Sequence, residues 1–199
     1  MNIKRFVNRV FESNSYILHE NGNAIIIDIG DFNPINQYIN QLNLSVEALF
    51  ITHTHYDHIY GINEFLKSFP NALVYTSSFG KAALSRSNWN FSRYHDDPIE
   101  IDSPAIRAVD ERDSIKVFDN YEVKVIPTPG HDKSCLTYRI GDALFTGDSY
   151  IPGIKVIASF PNSNRNKAKM WYERLQKMAC DYMICPGHGD IVSRGDFSG

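Results

Sequence analysis

Cysteine is scarce in this sequence and odd in number: Cys135, Cys180 and Cys185 are the only three in 199 residues. None pairs with another in a C-x-x-C motif, and two lie in apolar stretches, so free thiols acting as small hydrophobes in a reducing compartment are expected. A cationic excess is also absent. The formal net charge of -3 provides no field to draw in a phosphate backbone, which argues against nucleic acid as a partner. No apolar run approaches the roughly 20 residues that cross a bilayer, and the N-terminal stretch lacks the apolar core of a secretory signal. No membrane association and a cytoplasmic location are therefore expected. Repeats, linkers and low-complexity segments are missing too, so the chain is read as one domain over residues 1–199.

Apolar residues make up 43% of the chain and aromatics 13%, enough for a substantial core. Strands are predicted at 3–10, 15–19 and 24–29, with Asn21-Gly22-Asn23 as the turn between the last two. Asn33 and Pro34 read as the cap and first turn of a helix whose apolar positions are Ile35, Tyr38, Ile39 and Leu42. A buried strand follows at 46–52. Helices at 63–69 and 78–86 flank a short strand at 73–76. Residues 87–103 lose all periodicity but carry Trp89, Phe91, Tyr94 and His95, so they read as a functional loop that forms a pocket wall or a subunit contact. Strands are expected again at 106–109, 114–118, 121–126, 135–140, 143–146 and 183–185, with a helix from 164 to 179. A homo-oligomer is compatible with this composition.

Chemistry concentrates where strands end. Thr52-His53-Thr54-His55-Tyr56-Asp57-His58 places three imidazoles and a carboxylate within six residues, all good ligands for zinc, iron or manganese. In extended backbone His53 and His55 fall on one side, whereas Asp57 and His58 turn toward a neighbouring position. Three more donors each follow a predicted strand and a glycine: Pro129-Gly130-His131, Thr146-Gly147-Asp148 and Pro186-Gly187-His188. Glycine lets the backbone turn sharply there, and a carboxylate such as Asp148 can bridge two cations.

With H-x-H-x-D-H followed by a later His, Asp and His, the chain resembles the metallo-β-lactamase fold superfamily, and within it the glyoxalase II-like branch. The resemblance runs from Ile27-Asp28-Ile29-Gly30 to His188. It implies an α+β fold, an αββα sandwich of two mixed β-sheets with helices on the outer faces. It also implies that His53, His55 and His131 hold one metal, Asp57, His58 and His188 a second, and Asp148 bridges them. The implied cofactors are two divalent ions, zinc first, with iron or manganese as the alternatives. The implied activity is hydrolysis of a small ester, thioester, lactone or phosphodiester. A hydroxide shared by the metals would act as nucleophile, oriented by the catalytic carboxylates Asp57 and Asp148.

The resemblance carries a second reading, an iron persulfide dioxygenase using only His53, His131 and Asp148, and the residues leave a third, a non-catalytic metal-binding protein. β-Lactamases with a cysteine ligand are disfavoured because Asp148 stands at that position. Glutathione thioesters lose their usual recognition element, since glyoxalase II resembles this domain followed by a helical extension and few residues follow His188. Among bystanders, Asp28 resembles a strand-end aspartate that supports a ligand, Tyr150 reads as packing, and Lys133, Ser134 and Asp190 read as turn or surface residues. His19 and His95 are expected to face solvent.

Overall fold

The computed structural model describes residues 1–194. Six strands form one sheet in the order β1 (Asn2–Val7), β2 (Asn14–Glu20), β3 (Asn23–Ile27), β4 (Ser45–Phe50), β5 (Leu73–Thr76) and β6 (Ile106–Ala108). The first three run antiparallel and the rest are joined in parallel. The second sheet has the order β11 (Met183–Pro186), β10 (Ala143–Gly147), β9 (Leu136–Ile140), β8 (Tyr121–Pro127) and β7 (Ser114–Val117). It is antiparallel except for the β10–β11 pair. Both sheets are mixed.

Strand periodicity explains the layering. Tyr16, Leu18, Ile25, Ile27 and Phe50 point between the sheets and meet Val123, Val125, Leu136, Tyr138 and Phe145. Their neighbours Ile17, Ile26, Leu49 and Ile51 point outward and are covered by Ile35 and Ile39 of α1 (Phe32–Gln41), Ile62 and Phe65 of α3 (Ile62–Ser68), and Leu84 of α4 (Ser78–Leu84). Strands buried on both faces read as unbroken apolar runs, as residues 24–27 do. On the far side, Leu144 and Ile184 pack under Leu175 and Ala179 of and just beyond α5 (Arg165–Met178). The result is the αββα sandwich of the sequence reading.

Boundaries shift by up to three residues at many elements, and three departures stand out. β1 stops at Val7 rather than residue 10, because the Asn8 side chain turns back to Ser13 and Ser15, and Phe11 and Glu12 take positive φ. Helix α1 is capped at Asp31, not Asn33. Pro34 then falls at the third helical position, where a missing N–H still costs no intrahelical bond. Residues 87–103 contain a 3-10 turn at Ser92–Tyr94 and are braced by Asn90, whose amide donates to the carbonyls of Ala83 and Ile99.

Candidate metal centre

Four strands deliver the donors to one end of the sandwich. His53 and His55 follow β4, and Asp57 and His58 sit on the four-residue helix α2 (Tyr56–Ile59). His131, Asp148 and His188 follow β8, β10 and β11. All seven residues converge. Donor atoms of His53, His55 and His131 lie within 4.8 Å of one another, as do those of Asp57, His58 and His188, and those of His53, His58 and Asp148.

Asp148 lies between the two triads. One oxygen is 3.5 Å from His58 Nε2, and the other is 3.4 Å from His131 Nε2 and 3.5 Å from His188 Nε2. Asp57 Oδ2 is 3.3 Å from both His58 Nε2 and His188 Nε2.

Each imidazole turns one nitrogen inward and four of the five are hydrogen-bonded through the other, an arrangement that fixes the tautomer of a metal ligand. His131 Nδ1 donates to the Ile157 carbonyl at 2.7 Å and His188 Nδ1 to the Phe11 carbonyl at 3.0 Å. His58 Nδ1 donates to Asp28 at 2.9 Å. The Thr52 hydroxyl donates to Asp28 at 2.7 Å, so its oxygen is left to accept from His53 Nδ1 at 3.2 Å. His55 is reversed: Nδ1 faces inward, 2.9 Å from His131 Nε2, while Nε2 faces the buried Asp132 carboxylate at 3.6 Å.

The donor set fits divalent cations. The buried inward atoms His53 Nε2, His58 Nε2 and Asp148 Oδ1 have no hydrogen-bond partner, a costly arrangement unless a ligand completes it. Burial drives His53 well below the usual imidazole pKa and also lowers His131. Burial opposes charge on His58 and His188 too, yet their carboxylate neighbours prevail. Asp57 and Asp148 hold His58 well above its usual value, and bonds to Asp148 and Asp57 push His188 up to about 9. Against its own burial, Asp148 is held well below the carboxylate range by His188 and His58. The carboxylate side thus recruits positive charge, which a cation would supply.

Local backbone is shaped to the cluster. At Gly187 a Cβ would collide with Asp148 Oδ1 and lie 2.9 Å from the Gly147 carbonyl carbon, and at Gly147, with φ +49°, it would meet Thr52. The family model for the metallo-beta-lactamase superfamily matches residues 8–188. The chain belongs to this superfamily.

Within the superfamily, the hydroxyacylglutathione hydrolase of Citrobacter koseri is 29% identical over 187 residues, covering 92% of this chain and 64% of that protein. The enzyme of the same name from Francisella philomiragia is 33% identical over 152 residues, covering 75% and 52%. The chain therefore spans between half and two thirds of the length of these curated relatives. Among solved structures, the BLEG-1 B3 metallo-beta-lactamase superposes with a TM-score of 0.83 at 22% identity over 98% of this chain and 95% of that one. The di-iron-bound form of TTHA1623 gives 0.81 at 18% identity over 96% and 95%. ETHE1 from Myxococcus xanthus gives 0.76 at 21% identity over 98% and 81%. These structures share the fold. The cluster and the superfamily together support use of a divalent metal.

The remaining candidates separate. Asp28, with φ +55°, accepts from the Thr52 backbone and hydroxyl and from His58. Tyr150 is buried against Tyr172. Asp190 is exposed beside Arg5, and Lys133 is exposed over Phe79. Ser134 is not a surface residue. It is buried, donates to Asp132 and accepts from the Thr54 backbone N–H. His19 is half-buried against the Tyr38 hydroxyl. His95 does not simply face solvent: it stacks on Tyr56 at 3.6 Å between ring centroids and lines the pocket over the cluster. Phe91 lines the same pocket, whereas Trp89 turns away to stack on Phe79.

Sequence reasoning missed Asp132, although it adjoins His131. It also missed the braces at the start of β2. Ser13 donates to the Asp57 carbonyl, while Asn14 and Tyr16 donate to the Pro186 carbonyl. The Ser-Asn-Ser-Tyr run of small polar residues entering a strand is the one signal that could have pointed to them.

Proposed function

We propose that the chain is a metal-dependent hydrolase acting on a small ester, thioester, lactone or phosphodiester. In this reading His53, His55 and His131 hold one divalent ion, Asp57, His58 and His188 a second, and Asp148 serves both. Zinc is the first candidate, with iron or manganese as alternatives. The observation that carries the reading is the pair of assembled triads on either side of Asp148.

When bound, two divalent ions supply Lewis acidity for a carbonyl or phosphoryl oxygen and lower the pKa of water from about 15.7 toward 7. The chain supplies the rest. Asp57 and Asp148 orient the attacking water. The hydrogen bonds of Asp28 and of the Ile157 and Phe11 carbonyls, with the Asp132 carboxylate 3.6 Å from His55 Nε2, keep the imidazoles aimed without reorganisation during the reaction. Phe91 and Phe160, packed edge-on to His55 at 4.9 and 5.0 Å between centroids, limit water at one side of the cluster. The same reading treats the chain as one cytoplasmic catalytic domain with a small-molecule substrate.

The test is metal analysis joined to anaerobic turnover. About two equivalents of metal per chain and hydrolysis of activated esters, lactones or phosphodiesters without oxygen are expected. Oxygen consumption with glutathione persulfide by iron-loaded protein, with every hydrolytic assay silent, would replace this reading with the dioxygenase one.

A further inference from the structure

Resting on the hydrolase reading, we infer that the mouth of this site selects acyl esters, thioesters or lactones whose groups away from the scissile bond are aliphatic and uncharged. The cavity over the cluster is about 370 Å³, at the small end of the range for ligand sites. Its floor is His55, Asp57, His131, Asp148 and His188, and its walls are Phe11, Tyr56, Phe91, His95, Ile157 and Phe160. No lysine or arginine is among these lining residues.

The apolar walls are not incidental surface. Phe11 is 72% exposed, Ile157 58% and Phe160 37%, and all three gather at one cavity beside the donor cluster, where an apolar ligand group would cover them. Phe91 and Phe160 pack on each other at 5.5 Å as well as on His55. Phe91 and Phe11 both hold left-handed backbone, with φ +62° and +53°, a conformation that bulky residues rarely take and that gathers at ligand clamps. The carbonyls of Phe11 and Ile157 also receive the Nδ1 protons of His188 and His131, so the wall is tied to the donor set at two points. Asp96 and Asp97, both exposed, follow His95 directly and place negative charge beside this wall, against a remote anionic group. Basic residues do stand nearby: Lys155, Arg165 and Lys169 line a separate cleft against α5 that shares Ile157. A long anionic substrate would have to leave the apolar pocket to reach them.

Matched thioesters test this with the metal-loaded protein. S-butyryl-N-acetylcysteamine is expected to be hydrolysed with kcat/KM at least about 10-fold above that of S-butyrylglutathione, which carries the same acyl group on an anionic thiol. Within the N-acetylcysteamine series, kcat/KM should rise about 10-fold or more from acetyl to hexanoyl, following the burial of added methylenes. The F91A/F160A double variant, checked for unchanged melting and metal content, should flatten that rise. A preference for the glutathione thioester, or a flat series in the natural chain, overturns the inference. Binding separates this from the hydrolase reading. Hexanohydroxamic acid should bind at least about 10-fold tighter than acetohydroxamic acid. That binding with no turnover of any ester would remove the hydrolase reading and leave the pocket's apolar selectivity standing, whereas equal binding of the two acids would overturn the selectivity itself.

Discussion

Asp132 turns its carboxylate toward His55 Nε2, on the side away from the cluster, which favours the tautomer that can ligate through Nδ1. Its Oδ1 accepts from the Ser134 backbone and hydroxyl at 2.7 and 2.6 Å, which leaves Oδ2 aimed at His55 Nε2, 3.6 Å away. His131 Nε2 spends its lone pair inward because Nδ1 donates to Ile157, and it lies 2.9 Å from His55 Nδ1. Two inward nitrogens at that separation need a cation or a shared proton between them. With its proton on Nε2, His55 offers the Nδ1 lone pair to either.

Replacing Asp132 by Asn keeps an oxygen for Ser134 but turns an NH2 toward Nε2, which favours the wrong tautomer. D132N is expected to lose about 10–100-fold in affinity for one of two metals, measured by chelator competition, with little change in melting temperature. Unchanged affinity for both metals would show that the carboxylate does not position His55.

Asp148→Ala removes the group placed between the triads. Turnover is expected to fall on the order of 100-fold or more, and bound metal to drop from about two equivalents to one. Both effects are read by elemental analysis and steady-state kinetics on one preparation. Retention of both metals would contradict the role assigned to Asp148.

Gly187→Ala adds a single methyl group into Asp148 Oδ1 and the Gly147 backbone. The expected outcome is a folded protein with sharply weakened metal binding, since the methyl displaces Asp148 while the core strands remain intact. Circular dichroism beside a metal titration checks both halves.

Asp28→Ala strands three buried donors at once: the Thr52 N–H, the Thr52 hydroxyl and His58 Nδ1. A destabilisation of about 3–5 kcal/mol is expected from breaking such a buried charged network, seen as a fall in the denaturation midpoint of the metal-free protein. A loss under 1 kcal/mol would mean that the network relaxes around the gap.

The Arg9–Asp31 pair predicts an acid limb. Burial works against the Asp31 carboxylate, but the Arg9 side chain at 2.7 Å and the Arg9 backbone N–H lower its pKa below the usual value. A depressed folded-state pKa gives stability that is present above the unfolded value, about 3.9, and is lost as pH falls through the folded value. In metal-free protein, D31N should therefore lower stability at neutral pH and narrow its gap from the natural chain toward pH 3. A gap independent of pH would assign the effect to packing.

How much was legible follows from what each residue depends on. The candidate donors His53, His55, Asp57 and His58 crowd into one strand-end segment and His131, Asp148 and His188 each follow a glycine, so the seven residues that the fold gathers could be picked out in order along the chain. The two-faced apolar strands likewise announced a layered fold. Asp132, Ser13 and Asn14 act only through partners brought close by folding. Asn14 meets Pro186 across 172 residues of chain, and nothing in its neighbourhood marks that meeting. His95 was misplaced because its setting is the ring of Tyr56, 39 positions earlier, in a loop without periodicity to predict its path. Asp31 precedes α1 without a side-chain cap because Arg9 claims both of its carboxylate oxygens.

The late pairing of β10 with β11, pinned by the start of β2, has a consequence for biosynthesis. A chain emerging from the ribosome presents its N-terminal portion first. Six of the seven donors precede Pro186, the residue to which Asn14 and Tyr16 donate. The residues of the first triad, His53, His55 and His131, are therefore synthesised before His188, and the second triad can be assembled only once β11 has joined β10.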